Sequence, residues 1–179
     1  MIAIFAKKIG NQHGYTLVEV VISAAIGAIL MAGLTSVVLT SVRATNVATA
    51  RIEASSQIRG FQFLAYDDFA RSMPPSPGGC SGNPPARCTI NLSGLKASNS
   101  IPPDIAPFKV TYSWDGGTGY LDRNAVHAAT YVTAFSYNVD QAGQYPTVVV
   151  NLTVTIRNGS PNDYYSQSQT MRFYPRVQP

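Results

Sequence analysis

Apolar and polar positions divide the chain into three regimes. From Tyr15 to Val42 the residues are almost unbroken in their hydrophobicity, 28 positions with Glu19 as the one formal charge. A membrane-spanning helix needs about 20 such residues. From Arg43 to Arg71 apolar residues recur at intervals of three, four and seven: Ala44, Val47, Ala48, Ala54, Ile58, Phe61 and Ala65. That spacing predicts one apolar stripe on an amphipathic helix, with Arg51 at its edge and Glu53, Gln57, Arg59 and Gln62 off it. Pro74-Pro75 stop the helix. If straight from Tyr15 to Ser72, it runs about 87 Å at about 1.5 Å per residue.

Beyond the prolines the pattern weakens and then changes period. Residues 73–107 are rich in Gly and Pro and predict loops, with one short strand around Ile90, Leu92 and Leu95 and a turn or linker over 98–107. From Phe108 the period is two. Lys109–Trp114 alternates, turns at Asp115-Gly-Gly-Thr-Gly119 and returns through Tyr120–Arg123, a hairpin signal. Thr130–Val139, Thr147–Arg157 and Ser168–Tyr174 predict three more strands, the last two joined by a turn at Asn158-Gly159-Ser160-Pro161. A long helix followed by antiparallel strands is an α+β fold with the helix covering one sheet face. The expected division is a leader at 1–14, a membrane half-helix at 15–42, an amphipathic half-helix at 43–72, a loop-rich segment at 73–107 and a β-sheet region at 108–179.

Charge adds orientation more than partners. The net charge of +4 includes Lys7 and Lys8. Without the first 14 residues, 11 basic and 9 acidic side chains remain, and the arginines are scattered singly. No basic run interleaves with aromatics, so nucleic-acid binding by this chain is not expected. The lysine pair ahead of the apolar run predicts a cytoplasmic amino terminus and a carboxyl-terminal part across the membrane. No small-x-small cleavage site follows the run, so the apolar segment is expected to stay in the mature protein.

Glu19 is the costly residue. A carboxylate inside an apolar span needs a cationic partner or protonates. Gly14-Tyr15-Thr16-Leu17-Val18-Glu19, after a short basic leader and before the apolar run, resembles the class III signal of type IV pilins and type II secretion pseudopilins. The resemblance implies a pilin-like fold and cleavage between Gly14 and Tyr15 by a membrane prepilin peptidase. It further implies N-methylation of Tyr15 and pairing of Glu19 with the freed amine of a neighbouring subunit. The first mature residue is Tyr rather than the commoner Phe, and Gln12-His13 separate the lysines from the glycine. Glycine ahead of the cut leaves the backbone unobstructed. The plainer reading of Glu19 is a snorkelling residue of an ordinary anchor; Thr16 and Ser23 read as local bonds to helix carbonyls.

Farther along, the helix end Asp68-Phe69-Ala70-Arg71, the Tyr112-x-Trp114-Asp115 hairpin ending in Leu121-x-Arg123 and the terminal Phe173-x-x-Arg176 resemble W-type minor pilins and J-type minor pseudopilins. Asp68 and Arg71, three apart, are expected to meet on one helical face. Cys80 and Cys88 lie close together in a Gly/Pro-rich stretch; in an exported protein they read as a small disulfide loop.

Other chemistry finds little footing. Asp115–Asp122 lacks the repeated acids and closing glutamate of an EF-hand, so a hairpin turn is expected in place of a calcium loop. Only His13 and His127 are available as histidines, and neither sits in a nucleophile motif. Asn91-Leu-Ser93 and Asn151-Leu-Thr153 match glycosylation acceptors and read as strand residues. No catalytic residue, metal ligand or cofactor site is expected. The leading expectation is a minor pilin or pseudopilin that helps start a filament with other subunits, in a type IV pilus, a type II secretion system or a competence system. Before assembly it would rest in the inner membrane lipid. The alternative from a different class is an enzyme or binding domain on a single-pass anchor.

Overall fold

A computed structural model describes residues 15–77, 79–82, 85–97, 105–141, 145–159 and 162–175. One helix, α1 (Leu17–Ala70), precedes eight strands: β1 (Cys80–Gly82), β2 (Pro85–Ala97), β3 (Ile105–Asp115), β4 (Tyr120–Arg123), β5 (Val126–Ala129), β6 (Val132–Asp140), β7 (Thr147–Arg157) and β8 (Tyr164–Phe173). The chain divides into two compact units, residues 1–44 and 45–179.

In the first unit none of the described helix residues is buried within the chain. Its apolar window has a mean hydropathy of 2.3 and none of it is buried. Thr35 and Thr40 donate their hydroxyls to the carbonyls of Met31 and Ser36 one turn back. Hydroxyls satisfied in this way fit an apolar environment that offers them no other partner.

The second unit is an α+β arrangement in which residues 45–70 of the helix pack on antiparallel sheets. Its buried positions are Ala50, Ala54, Ile58, Phe61, Ala65, Asp68 and Phe69. The stripe is the expected one from Ala54 onward, but Ala44 and Ala48 are exposed and Arg51 lies outside. The alanines let the backbone come close to the strands, and the two phenylalanines reach between them. Phe61 meets Tyr112 and Phe135 edge-on, at 5.6 and 5.9 Å between ring centroids. Phe69 stacks on Tyr112 and Phe173, at 6.2 and 4.5 Å.

Those contacts reach two sheets, where one sheet face was expected. The first has the order β1-β2-β3-β4-β5 and the second β6-β7-β8, every pairing antiparallel. Tyr112 belongs to the first; Phe135 and Phe173 belong to the second, so the helix lies over the seam. Trp114 ties the seam from within, donating its indole N–H to the Val132 carbonyl at 3.0 Å. Alternation fills the core: Val148, Val150, Leu152, Val154 and Ile156 all point inward from β7.

Several boundaries depart from the sequence expectation. The short strand near Ile90 is a 13-residue strand, paired with β3 from Arg87↔Asp115 to Ala97↔Ile105. Residues 105–107, expected as linker, belong to β3, while 98–104 lie outside the described residues. The strand expected from Thr130 starts at Val132, and the one expected from Ser168 starts at Tyr164. The helix ends at Ala70 rather than Ser72. There Ser72 bridges to Gly94, and the Met73 N–H donates to the Ser93 carbonyl at 2.8 Å. A β-carbon on Gly94 would collide with the Arg71 carbonyl and the Phe108 ring, which explains a glycine within a long strand.

Candidate processing and assembly site

The helix begins inside the expected processing signal. Tyr15 and Thr16 precede the first helical residue, Leu17. Thr16 is the N-cap: its hydroxyl accepts the Glu19 backbone N–H at 3.3 Å. This corrects the reading of Thr16 as a donor to helix carbonyls. Thr16-Leu17-Val18-Glu19 is the S/T-x-x-E pattern of a capping box, which was readable in the sequence and masked by the signal it overlaps. The cap starts the helix two residues past the expected cut and sets Glu19 in the first turn, where the helix dipole favours an anion.

Tyr15 is 80 % exposed and Glu19 is also exposed. Among the described residues no cation forms an ion pair with Glu19. Gly14 lies outside the described residues. The chain itself therefore places Tyr15 and Glu19 one turn apart at an open helix start.

The second cluster lies in the folded unit. Asp68, 5 % exposed, accepts three hydrogen bonds: from the Tyr112 hydroxyl at 2.6 Å, Arg123 Nε at 2.6 Å and Arg123 Nη2 at 2.8 Å. Arg71, the expected partner of Asp68, pairs instead with Asp67 at 2.7 Å, an exposed i, i+4 bridge. The reason is geometric. Asp68 sits on the buried stripe, between Ala65 and Phe69, whereas Asp67 and Arg71 are on the exposed flank. Burial raises Tyr112 above the ordinary tyrosine range, and its hydrogen bond to the Asp68 carboxylate adds to this. The same carboxylate raises Arg123, chiefly through their hydrogen bonds. Both groups hold their protons, so the cluster is a fixed fastening of helix to hairpin.

Cys80 and Cys88 stand opposite one another in the β1–β2 ladder and are joined sulfur to sulfur. The segment before them is held independently. Tyr137 donates its hydroxyl to the Ser76 carbonyl at 2.7 Å and accepts the Gly79 N–H at 3.2 Å.

Residues considered for other chemistry are occupied locally. Asp115 accepts the Gly117 N–H and pairs with Arg87, as a hairpin turn requires. His127 contacts Asp122 and stacks on Tyr120. Asn91 and Asn151 lie in strands and accept hydroxyls from Thr111 and Thr170. No group of three or more metal-ligating side chains occurs among the described residues.

The outward face of the helix carries a different pattern. Ile52, Phe63 and Tyr66 are 71 %, 81 % and 71 % exposed, and Leu64 is partly so. Phe63, Leu64 and Tyr66 line an open cavity of about 710 Å³, with Arg59 and Arg123 among its walls.

Comparison with known proteins adds one match. Residues 9–35 match the family described as the prokaryotic N-terminal methylation motif. The matched stretch contains Gly14, Tyr15, Thr16 and Glu19 and the first part of the apolar helix. It supports a precursor of the type IV pilin and pseudopilin superfamily and a structural subunit anchored in a membrane through that helix. It implies processing by prepilin peptidase and assembly with other pilins. No curated protein and no solved structure matches the chain.

Proposed function

We propose that this chain is a minor pilin or pseudopilin, a non-catalytic subunit that helps begin a type IV pilus or sits at its tip. The observation that carries the reading is the coincidence of three features at one helix start. The methylation motif covers residues 9–35, the capped helix begins at Leu17, and Glu19 stands exposed in its first turn. Cleavage between Gly14 and Tyr15 then frees an amine, which is methylated on Tyr15. Glu19 pairs with that amine on a neighbouring subunit as the apolar helices gather. An ion pair is worth far more in those surroundings than in water, so processing and assembly are coupled.

The exposed side chains Ile52, Phe63 and Tyr66 support the same reading. Residues 52, 59, 63 and 66 fall on one helical flank, turned away from the core. A monomer has no use for such a face, whereas a bundle of parallel helices covers it. Before assembly the chain crosses the inner membrane once, with its amino terminus cytoplasmic and its β domain periplasmic, where the Cys80–Cys88 bond is stable. The helix end and hairpin that resemble W- and J-type proteins favour an initiating role. A type II secretion or competence pseudopilus is the second setting for the same subunit.

Two variants test the assignment. Replacing Gly14 by a bulky residue should leave the precursor uncut and outside filaments. Glu19→Ala should be cut and anchored normally yet enter filaments poorly. Normal precursor processing and normal filament entry in both would overturn the reading.

A further inference from the structure

The outward face of α1 has three features that nothing among the described residues accounts for. Gly60 is the first. A glycine inside an exposed helix weakens it relative to alanine, and its use is to let another backbone come close. Yet a β-carbon at Gly60 would stand in open space, with nothing within 4 Å. Arg59 is the second. Two cavities of about 710 and 670 Å³ lie along this face and share Arg59 and Phe63. Of the arginines that line them, Arg123 is held by Asp68, and Arg51 lies 5.6 Å from the centre of the Tyr165 ring. Arg59 is exposed and has no ion pair among the described residues. Phe63 is the third, 81 % exposed and one turn beyond Arg59.

The three are neighbours in space. Ile52, Ser56 and Gly60 follow one another at intervals of four, and Arg59 and Phe63 stand beside them at the same interval. Ser56 and Gly60 leave a notch between the larger side chains. A notch with an apolar knob at its side is the surface that a second helix fills. The unpaired cation adds a demand on the charge of that helix.

We propose that this face receives the helix of a different pilin subunit, running in the same direction, with its backbone close to Gly60 and a carboxylate against Arg59. The proposal rests on the pilin reading and names the chemistry of one neighbour in the bundle. A shared membrane orientation sets the common direction, and charge selects the partner. The acids that line the two cavities are Asp67 and Asp68, which Arg71 and Arg123 already hold. The same face of a second copy therefore has no free carboxylate for Arg59 and brings another Arg59 against it. A pair enclosed between two helices is screened less than one in open water. It discriminates between a subunit that carries the acid and one that does not.

The test uses the full chain in cells that hold its partner pilins. Tyr66→Cys, labelled with a benzophenone maleimide, places the probe at the margin of the face and leaves Arg59, Gly60 and Phe63 intact. Ser168→Cys, exposed on β8, carries the same label as the control. On illumination Tyr66→Cys should join to one other pilin with a methylated amino terminus, and Ser168→Cys several-fold less. The linked peptide should hold Asp or Glu within one helical turn of the attachment. Adding Arg59→Glu should lower the yield several-fold, and adding Arg59→Lys should largely preserve it. Gly60→Leu separates docking from folding: it should leave the chain at least as stable in thermal melts, yet lower the yield several-fold. Adducts only with lipid or with a second copy, equal yields from the two labels, or a yield indifferent to Arg59→Glu or Gly60→Leu would overturn the proposal. Processing is read on the same samples. No adduct from a chain that is cut before Tyr15 and present in filaments overturns this inference alone, whereas an uncut chain overturns the pilin reading beneath it.

Discussion

Replacing Asp68 by alanine should be among the most damaging single changes to the folded unit. The carboxylate is almost fully buried and receives three hydrogen bonds, one from Tyr112 and two from Arg123. Removing one member of a buried ion pair costs about 3–5 kcal/mol, because the other charge is left unpaired. Here the Arg123 side chain is 35 % exposed, so water solvates part of it and the lower end applies. The Tyr112 hydroxyl, in a fully buried residue, loses its acceptor and adds about 1 kcal/mol. The expected loss is about 3–4 kcal/mol, a large share of the roughly 5–15 kcal/mol that holds a typical domain folded. Asp68→Asn, which keeps an acceptor oxygen, should fall between Asp68→Ala and the unsubstituted chain. The double variant Asp68→Ala, Arg123→Ala removes the orphaned charge, so it should be more stable than the sum of the singles by about 1–2 kcal/mol. Urea unfolding in detergent, followed by the fluorescence of Trp114, measures all of these. Trp114 is the one tryptophan in the chain, and its indole bridges the two sheets. An Asp68→Ala protein within about 0.5 kcal/mol of the unsubstituted chain, or additive singles, would refute the argument.

Two further predictions follow from the same structure. Tyr112 has its proton affinity raised by folding, so its contribution to stability is complete below the ordinary tyrosine value of 10.0 and declines as pH rises above it. Arg123 is raised from a still higher starting value and does not titrate in that window. Thermal melts from pH 8 to 11 should therefore fall more steeply for the unsubstituted chain than for Tyr112→Phe, and parallel slopes would count against the buried-hydroxyl account. Phe63→Lys, at an exposed position, should change folding stability by no more than about 0.5 kcal/mol yet lower incorporation into filaments several-fold; unchanged incorporation would remove the outer helix face from the assembly surface.

What the sequence disclosed follows the range over which each signal acts. The apolar run, the stripe from Ala54 to Ala65 and the β3–β4 hairpin are set by spacing within a few residues, and all three appear in the structure. The α+β class followed from them. The seam between two sheets did not, because β6 breaks from β5 through only Thr130 and Tyr131, and Tyr131 adopts a positive φ of 59° that no local pattern announces. The length of β2 was hidden by Gly94 and Ser93, which look like turn residues until β3 and the helix end close on them. Asp68 was expected to meet Arg71, and it meets a different cation. Arg71 is near in sequence, but the buried face points Asp68 to Arg123, 55 residues on. The Thr16 cap was a local signal and could have been found from its spacing to Glu19 alone.

The central claim is that the chain is made to be cut and then joined through its new end. Intact-mass measurement of the protein from membranes tests it most directly. The account predicts a chain that starts at Tyr15, is heavier by one methyl group on its amino terminus, and is lighter by two hydrogens for the Cys80–Cys88 bond. A chain that retains residues 1–14 in membranes containing active prepilin peptidase would contradict it.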